Sequence, residues 1–205
     1  MSRWITFDCF GTLIDWQTGF RSILQSVAGD RVDAVVTAYH QAEPVVEKEH
    51  PSASYKTILR ESLARAGVDS DALAERWDEL PVFEDTEPSL TALRAAGWKL
   101  GILTNCDNDL FAATRARLPV PIDEVVTAEE VGNYKPDLAH FTEFEKRTGV
   151  DRSDWVHAAV SYTHDMVPAR ALGLRRIWVD RERTGQDPST VSARVASLAE
   201  LVTVL

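Results

Sequence analysis

Along the chain, short unbroken apolar runs alternate with stretches in which apolar residues recur every three or four positions. Trp4–Phe10 is the first run, closed by Gly11-Thr12. It predicts a buried strand and a tight turn. From Thr18 to about Leu80 the spacing turns helical, through Ile23, Val27, Val35 and Val36, then Ile58, Leu59, Leu63 and Ala66. Gly29, Pro51 and Gly67 divide this stretch into four helices, and it contains no strand pattern. After Pro81 strand and helix signals alternate. Pro88 and Gly97 bracket a helix, Trp98–Leu103 reads as a strand, and Asp107 is positioned to cap a helix through about Leu118. Ile122–Thr127 is a strand, Pro136 opens a helix that runs to Gly149, and Trp155–Val160 is a strand. Asp165–Leu172 is a helix ended by Gly173, Arg175–Asp180 a strand, and the segment from Ser192 one short helix.

Strands alternating with helices predict an α/β protein whose parallel sheet is covered on both faces. The helical stretch lies between the first strand and the rest. That order predicts a Rossmann-like core of residues 1–15 and 81–205, with a helical cap domain, residues 16–80, inserted after the first strand. Ligands of such sheets bind beyond the carboxyl ends of the strands, so the reactive residues at those ends carry the functional argument.

Composition narrows the field. The 205 residues hold 22 Lys and Arg against 32 Asp and Glu, a formal charge of −10. An acidic chain argues against a nucleic-acid partner, which needs a basic face. No apolar run approaches the roughly 20 residues that span a bilayer, and the opening Met1–Gly11 lacks the pattern of a signal peptide. Two cysteines, Cys9 and Cys106, make no disulfide framework. The expectation is a cytoplasmic protein with a small-molecule substrate, no nucleic-acid partner and no membrane, the homodimer being left open.

Four strand-end clusters stand out. The first strand closes on Phe7-Asp8-Cys9-Phe10-Gly11-Thr12, placing an acid where an apolar strand ends. The strand before Asp107 closes on Leu103-Thr104-Asn105, a hydroxyl and an amide suited to an anionic group. Lys135 precedes Pro136 at a helix entry. Ser161-Tyr162-Thr163-His164-Asp165 follows the Trp155–Val160 strand. Singly, each is ordinary turn or cap chemistry; in sequence they form an ordered set.

That set resembles the haloacid dehalogenase superfamily, whose four motifs carry a nucleophilic Asp, a Ser or Thr, a Lys and an acid. Here the matching residues are Asp8, Thr104, Lys135 and Asp165, and the resemblance covers nearly the whole chain. It implies a Rossmann-like core and a covalent aspartyl intermediate. Superfamily phosphatases usually carry a second Asp two positions after the nucleophile; this chain has Phe10. An alkoxide leaving group needs a proton from such an acid, whereas a halide does not. Phe7–Asp15, Thr104-Asn105 and Tyr134–Asp137 are similar to the 2-haloacid dehalogenase branch. The resemblance implies that Asp8 attacks a carbon bearing the leaving group and that water then cleaves the ester. It further implies that Lys135 keeps Asp8 ionised, and that Asp165, with His164, handles the water. Thr12, Thr104 and Asn105 would bind a substrate carboxylate, with Phe10 in the same substrate set. No cofactor is required in this reading.

The chain departs from that branch where substrate is recognised. The branch's cap arginine has no counterpart in Tyr39–Glu43, Val160 and Tyr162 stand where Ser and Asn are expected, and Phe141 replaces a Tyr. One alternative is Mg²⁺-dependent phosphoryl transfer, with Asp8, Asp165 and the Phe10 carbonyl as metal ligands. A phosphonate-cleaving variant would need a cap lysine, and Lys48 and Lys56 sit among polar residues. A non-catalytic binding protein on the same fold is the third reading. His40, Glu43, Glu47 and His50 share a helical face, read as solvated surface interrupted by Pro44; the functional alternative is that His40 or Glu43 reaches into the site in place of the missing arginine, where a glutamate would repel an anionic substrate. Trp16 is expected where the cap joins, and Arg181-Glu182-Arg183 reads as surface.

Overall fold

The computed structural model describes residues 2–205. Six strands form one parallel sheet: β1 (Trp4–Phe7), β2 (Lys99–Thr104), β3 (Glu124–Thr127), β4 (Trp155–Ala159), β5 (Arg175–Val179) and β6 (Ala193–Val195), in the order β3-β2-β1-β4-β5-β6. This is the doubly wound order in which the winding reverses between β1 and β4, opening a crevice at their carboxyl ends. β1 and β4 are buried along their whole length, as strands covered on both faces must be.

Between β1 and β2 come α1 (Trp16–Ala28), α2 (Val32–Glu49), α3 (Tyr55–Arg65), α4 (Ala72–Glu75) and α5 (Thr86–Ala95). The chain leaves and re-enters the sheet region through one neck, where Asp15 N donates to Pro81 O and Phe83 N to Leu13 O. Ile23, Leu24, Val35, Leu59 and Leu63 of the inserted helices belong to the same buried apolar cluster as Ile5 and Phe7 of β1. Burying this face of the helices anchors them over the strand ends. Helices α6 (Asn108–Arg115), α7 (Ala128–Val131), α8 (Ala139–Thr148), α9 (Val167–Ala171) and α10 (Leu198–Val204) complete the chain. Among the described residues, no helix is long and apolar enough to cross a membrane.

Several expectations need correction. The segment from Ser192 is a strand and then a helix: β6 pairs with β5 before α10 begins. Three residues at a sheet edge are too few to show a period. The helix expected from Pro136 starts at Ala139, whose N–H is capped by the Asp137 carboxylate. The helix expected from Asp165 begins earlier, as a π turn over Tyr162–Met166 capped by the Ser161 hydroxyl, so Asp165 lies inside that turn. Pro44 does not interrupt α2, which runs through it. Asp107 makes no side-chain bond to its own helix. Arg181 is not free surface: it forks onto Asp85 at 2.8 and 3.0 Å and donates to Thr12 O.

Candidate active site

Asp8 follows β1 at the crevice. The turn behind it depends on Gly11, whose φ is +89° and whose missing Cβ would stand 2.9 Å from Val160 Cγ1. A side chain there would be strained and would press on the Val160 and Trp16 side chains. The turn sets Thr12 under Asp8, where its hydroxyl donates to Asp8 Oδ2 at 3.1 Å and accepts from Val160 N at 3.0 Å.

Lys135 arrives between Asp8 and Asp165. It is 1% exposed, and its Nζ donates to Asp8 Oδ1 at 2.9 Å, to Asp165 Oδ1 at 2.7 Å and to Leu103 O at 2.8 Å. An ammonium has three N–H bonds, so every one is engaged. Asn105 holds the lysine's backbone: its Oδ1 accepts from Lys135 N at 2.7 Å and its Nδ2 donates to Lys135 O at 3.2 Å.

Asp165 is completely buried, and Oδ1 takes a second bond from His157 Nε2 at 3.0 Å. Trp155 Nε1 donates to Thr6 Oγ1 at 2.8 Å, and Thr6 Oγ1 meets His157 Nδ1 at 2.8 Å. The other acceptor within reach of the Thr6 hydroxyl, Val156 O, is farther at 3.5 Å. The network therefore assigns the Thr6 proton to Nδ1 and the ring proton to Nε2, which donates to Asp165. Asp165 Oδ2 is buried without a hydrogen-bond partner.

Burial works to raise the Asp165 carboxyl, but Lys135 and His157 outweigh it and hold it well below the ordinary carboxylate range. Burial raises Asp8, with the Lys135 charge opposing. Burial also pulls against the Lys135 ammonium, yet Asp165 and Asp8 keep it above its ordinary value. Two carboxylates and one ammonium leave this buried trio with an acceptor surplus facing the crevice.

A cavity of about 330 Å³ lies over the trio. Asp8, Lys135, Asp165, Asn105, Phe10 and His164 all line it, as does Trp16. Thr12 and Thr104 do not, contrary to the expectation that they touch substrate. Both are completely buried, Thr12 beneath Asp8 and Thr104 against Cys106 Sγ and the turn behind it. The Cys9 and Cys106 thiols are buried, and burial pushes both above the ordinary thiol value. Phe10 packs its ring against Trp77 at 4.7 Å and offers no proton.

Sequence reasoning missed His157 and misread Glu47. The signal for His157 was a lone imidazole inside the apolar Trp155–Val160 run, opposite Thr6 in the β1–β4 register. Glu47 was placed on a solvated face; it is 7% exposed and lines the cavity, with Oε1 3.4 Å from Asn105 Nδ2. Glu182, exposed as expected, also lines the cavity and accepts from Gln17 Nε2.

Residues 3–158 match the family of haloacid dehalogenase-like hydrolases. (S)-2-haloacid dehalogenase 1 of Pseudomonas sp. (strain CBS-3) is 27% identical, over 99% of this chain and 96% of that protein. Glyceraldehyde 3-phosphate phosphatase of Methanocaldococcus jannaschii is 30% identical over 60% of this chain and 56% of that protein. Among solved structures, a dehalogenase crystallised as an intermediate complex superposes with a TM-score of 0.86 at 22% identity, covering 100% of this chain and 97% of that one, a likeness of fold. With the parallel sheet, the strand-end acids and the bridging lysine in place, the chain belongs to the haloacid dehalogenase-like hydrolases.

Proposed function

We propose that this hydrolase displaces a halide-type leaving group from a saturated carbon of a small molecule, through an ester on Asp8, with the inserted helices acting as its cap. The observation that carries the reading is the position of Lys135 Nζ, bonded at once to Asp8 and Asp165. A buried ammonium beside a carboxylate opposes the effect of burial and favours its ionised, nucleophilic form. An Asp8 oxygen forms the new C–O bond as the carbon–halogen bond breaks, and the halide departs with the electron pair. Water then attacks the carbonyl carbon of the Asp8 ester; the C–O bond to Asp8 breaks and the product leaves as an alcohol.

Asp165 suits the second step as the group that orients this water. Its free Oδ2 is an acceptor, and its low proton affinity favours holding a water over retaining the proton. Phe10 supports a leaving group that needs no general acid, because loss of such an acid costs roughly 10²–10⁴ in rate where one is required.

The test is a single turnover in heavy-oxygen water with mass analysis of the Asp8 peptide. Label entering Asp8, and loss of halide release in Asp8→Asn, support the reading. Turnover with unlabelled Asp8 refutes it.

One observation favours Mg²⁺-dependent phosphoryl transfer instead. Asp165 Oδ2 is a buried carboxylate oxygen without a partner, and Mg²⁺ takes one or two carboxylates together with substrate phosphate. Asp8, Asp165 and the Phe10 carbonyl would hold the ion, which would polarise a phosphoryl oxygen. Activity that disappears in EDTA and releases phosphate selects this reading; halide release that persists in EDTA selects the first.

A further inference from the structure

The cavity wall opposite Asp8 has a chemistry of its own. Phe10, Trp16, Phe20, Tyr39, Tyr55 and Trp77 line it and pack edge to face on one another, Phe20 touching Trp16, Tyr39 and Trp77 at 5.2 to 6.1 Å between centroids. Two glutamates of α2 are set into this aromatic wall. Glu43 Oε1 accepts from Tyr39 OH at 2.7 Å and from Tyr55 OH at 2.5 Å. Glu47 reaches Asn105, and among the described residues its Oε2 has no hydrogen-bond partner. Glu182 adds a third carboxyl from the loop after β5.

Against these acids the cavity offers no free lysine or arginine among the described residues. It is lined by one lysine and no arginine, and the three donors of Lys135 are all engaged inward. Of its histidines, His40 is held below its ordinary value by burial. A carboxylate or phosphate entering here finds no lysine or arginine to pair with. An ammonium meets two glutamates set among aromatic rings, the kind of surrounding that attracts organic cations.

We propose that the substrate of this site is a small organic cation, whose ammonium group seats between Glu43, Glu47 and the Trp16–Phe20–Trp77 wall while the carbon bearing the leaving group faces Asp8. This rests on the displacement reading above. A β-halo ammonium compound would form a C–O bond to an Asp8 oxygen as its carbon–halogen bond breaks and the halide departs with the electron pair; after water opens the ester it would leave as the ammonium alcohol.

The seat carries a proton signature. Burial, reinforced by Glu43, pushes Glu47 up to about 9. It is faced by Glu43 on its own helix, by Asn105 and Lys135 from the sheet end, and by Tyr39, Tyr55 and Tyr134. A bound cation stabilises the charged form of Glu47, so binding at neutral pH expels a proton and affinity rises toward pH 9.

The experiment measures binding to the full chain by calorimetry and tryptophan fluorescence, with choline, its neutral isostere 3,3-dimethyl-1-butanol, and (S)-2-chloropropionate. Choline is expected to bind at least tenfold tighter than the isostere and tighter than the anion. Glu43→Gln and Glu47→Gln are each expected to weaken choline about fivefold while leaving the isostere unchanged. The rise in choline affinity from pH 6 to 9 is expected to vanish in Glu47→Gln. Equal binding of choline and isostere, tighter binding of the anion, or no choline binding overturns the proposal without recourse to any variant. Incubation with (2-chloroethyl)trimethylammonium and with 2-chloropropionate, read as added mass on the Asp8 peptide, separates the two claims. Cation preference without any Asp8 adduct refutes the covalent reading and leaves the cation seat standing. An Asp8 adduct from the anion without cation preference does the reverse.

Discussion

The carboxylate of Asp107, in the turn after β2, caps a helix 52 residues earlier in the chain: it accepts from Tyr55 N at 2.7 Å and from Lys56 N at 3.0 Å, the first turn of α3. The acid is 5% exposed. A buried anion at a helix N-terminus satisfies two of its unpaired N–H groups and complements its dipole. The bond ties the inserted helices to the sheet, and it fixes Tyr55, whose hydroxyl reaches Glu43 over the cavity.

Asp107→Ala should therefore lower stability by about 1–2 kcal/mol, the usual range for a lost cap, and raise KM more than it lowers kcat. Asp107→Asn keeps one acceptor and should lie between. Urea denaturation alongside steady-state kinetics checks both; unchanged stability in Asp107→Ala would show that the cap bonds contribute nothing.

Lys135→Met leaves Asp8 and Asp165 buried side by side without a counter-ion. Removing one partner of such a cluster costs about 3–5 kcal/mol, and turnover should fall below detection. In the wild type, Asp165 is held below its ordinary value, so its contribution is present above the unfolded carboxyl's pKa of 3.8 and declines as the pH falls below it. In Lys135→Met the defect should be largest at neutral pH and shrink toward pH 4, where the carboxyls take up protons. Chemical denaturation at pH 4.5 and 7.5 reads the difference.

Glu47 acts with the opposite sign. Its folded carboxyl sits at about 9 against an ordinary 4.5, so between those values the native state holds a proton that the unfolded chain has released. Stability falls as pH rises across that window. Glu47→Gln, isosteric with the neutral acid, should be more stable than wild type at pH 8 and nearly equal at pH 4. Melting curves across pH 4–9 test this, and parallel curves for the two proteins would contradict it.

His157→Ala removes one of the two donors to Asp165 without touching Asp8. If Asp165 orients the hydrolytic water, ester formation should be slowed little and ester hydrolysis strongly, so the Asp8 adduct accumulates. Thr6→Val, which removes the hydroxyl proton directed at Nδ1, should act in the same direction with a smaller effect. Rapid-quench mass analysis of the Asp8 peptide measures both half-reactions.

Much of the site was legible in the chain because its residues sit at strand ends, and strand ends are marked by the switch from apolar run to turn residues. Asp8 and Asn105 stand at such ends, Lys135 and Asp165 at the helix entries nearby, and their order as a set, through its resemblance to the haloacid dehalogenase motifs, is what singles them out. Thr12 and Thr104 were found by the same logic but assigned to the substrate. Their burial depends on which way each turn folds, and the local sequence does not reveal that. His157 was hidden because a histidine inside an apolar strand has no local partner; its meaning comes from Thr6 on one side and Asp165 on the other.

By itself the sequence determined the α/β alternation, the parallel sheet and the helical insertion after β1, because periodicity and punctuation are local properties of the chain; the acids and lysine at the sheet's end stood out as a set through their resemblance to known motifs. Only the tertiary structure decided that all three donors of Lys135 turn inward, that Asp107 caps a distant helix, and that Glu43 and Glu47 leave solvent for an aromatic wall. Those facts depend on surfaces meeting across many residues. A glutamate on a helix reads as solvated until the opposite wall closes over it, and burial then changes both its charge and what it can recognise.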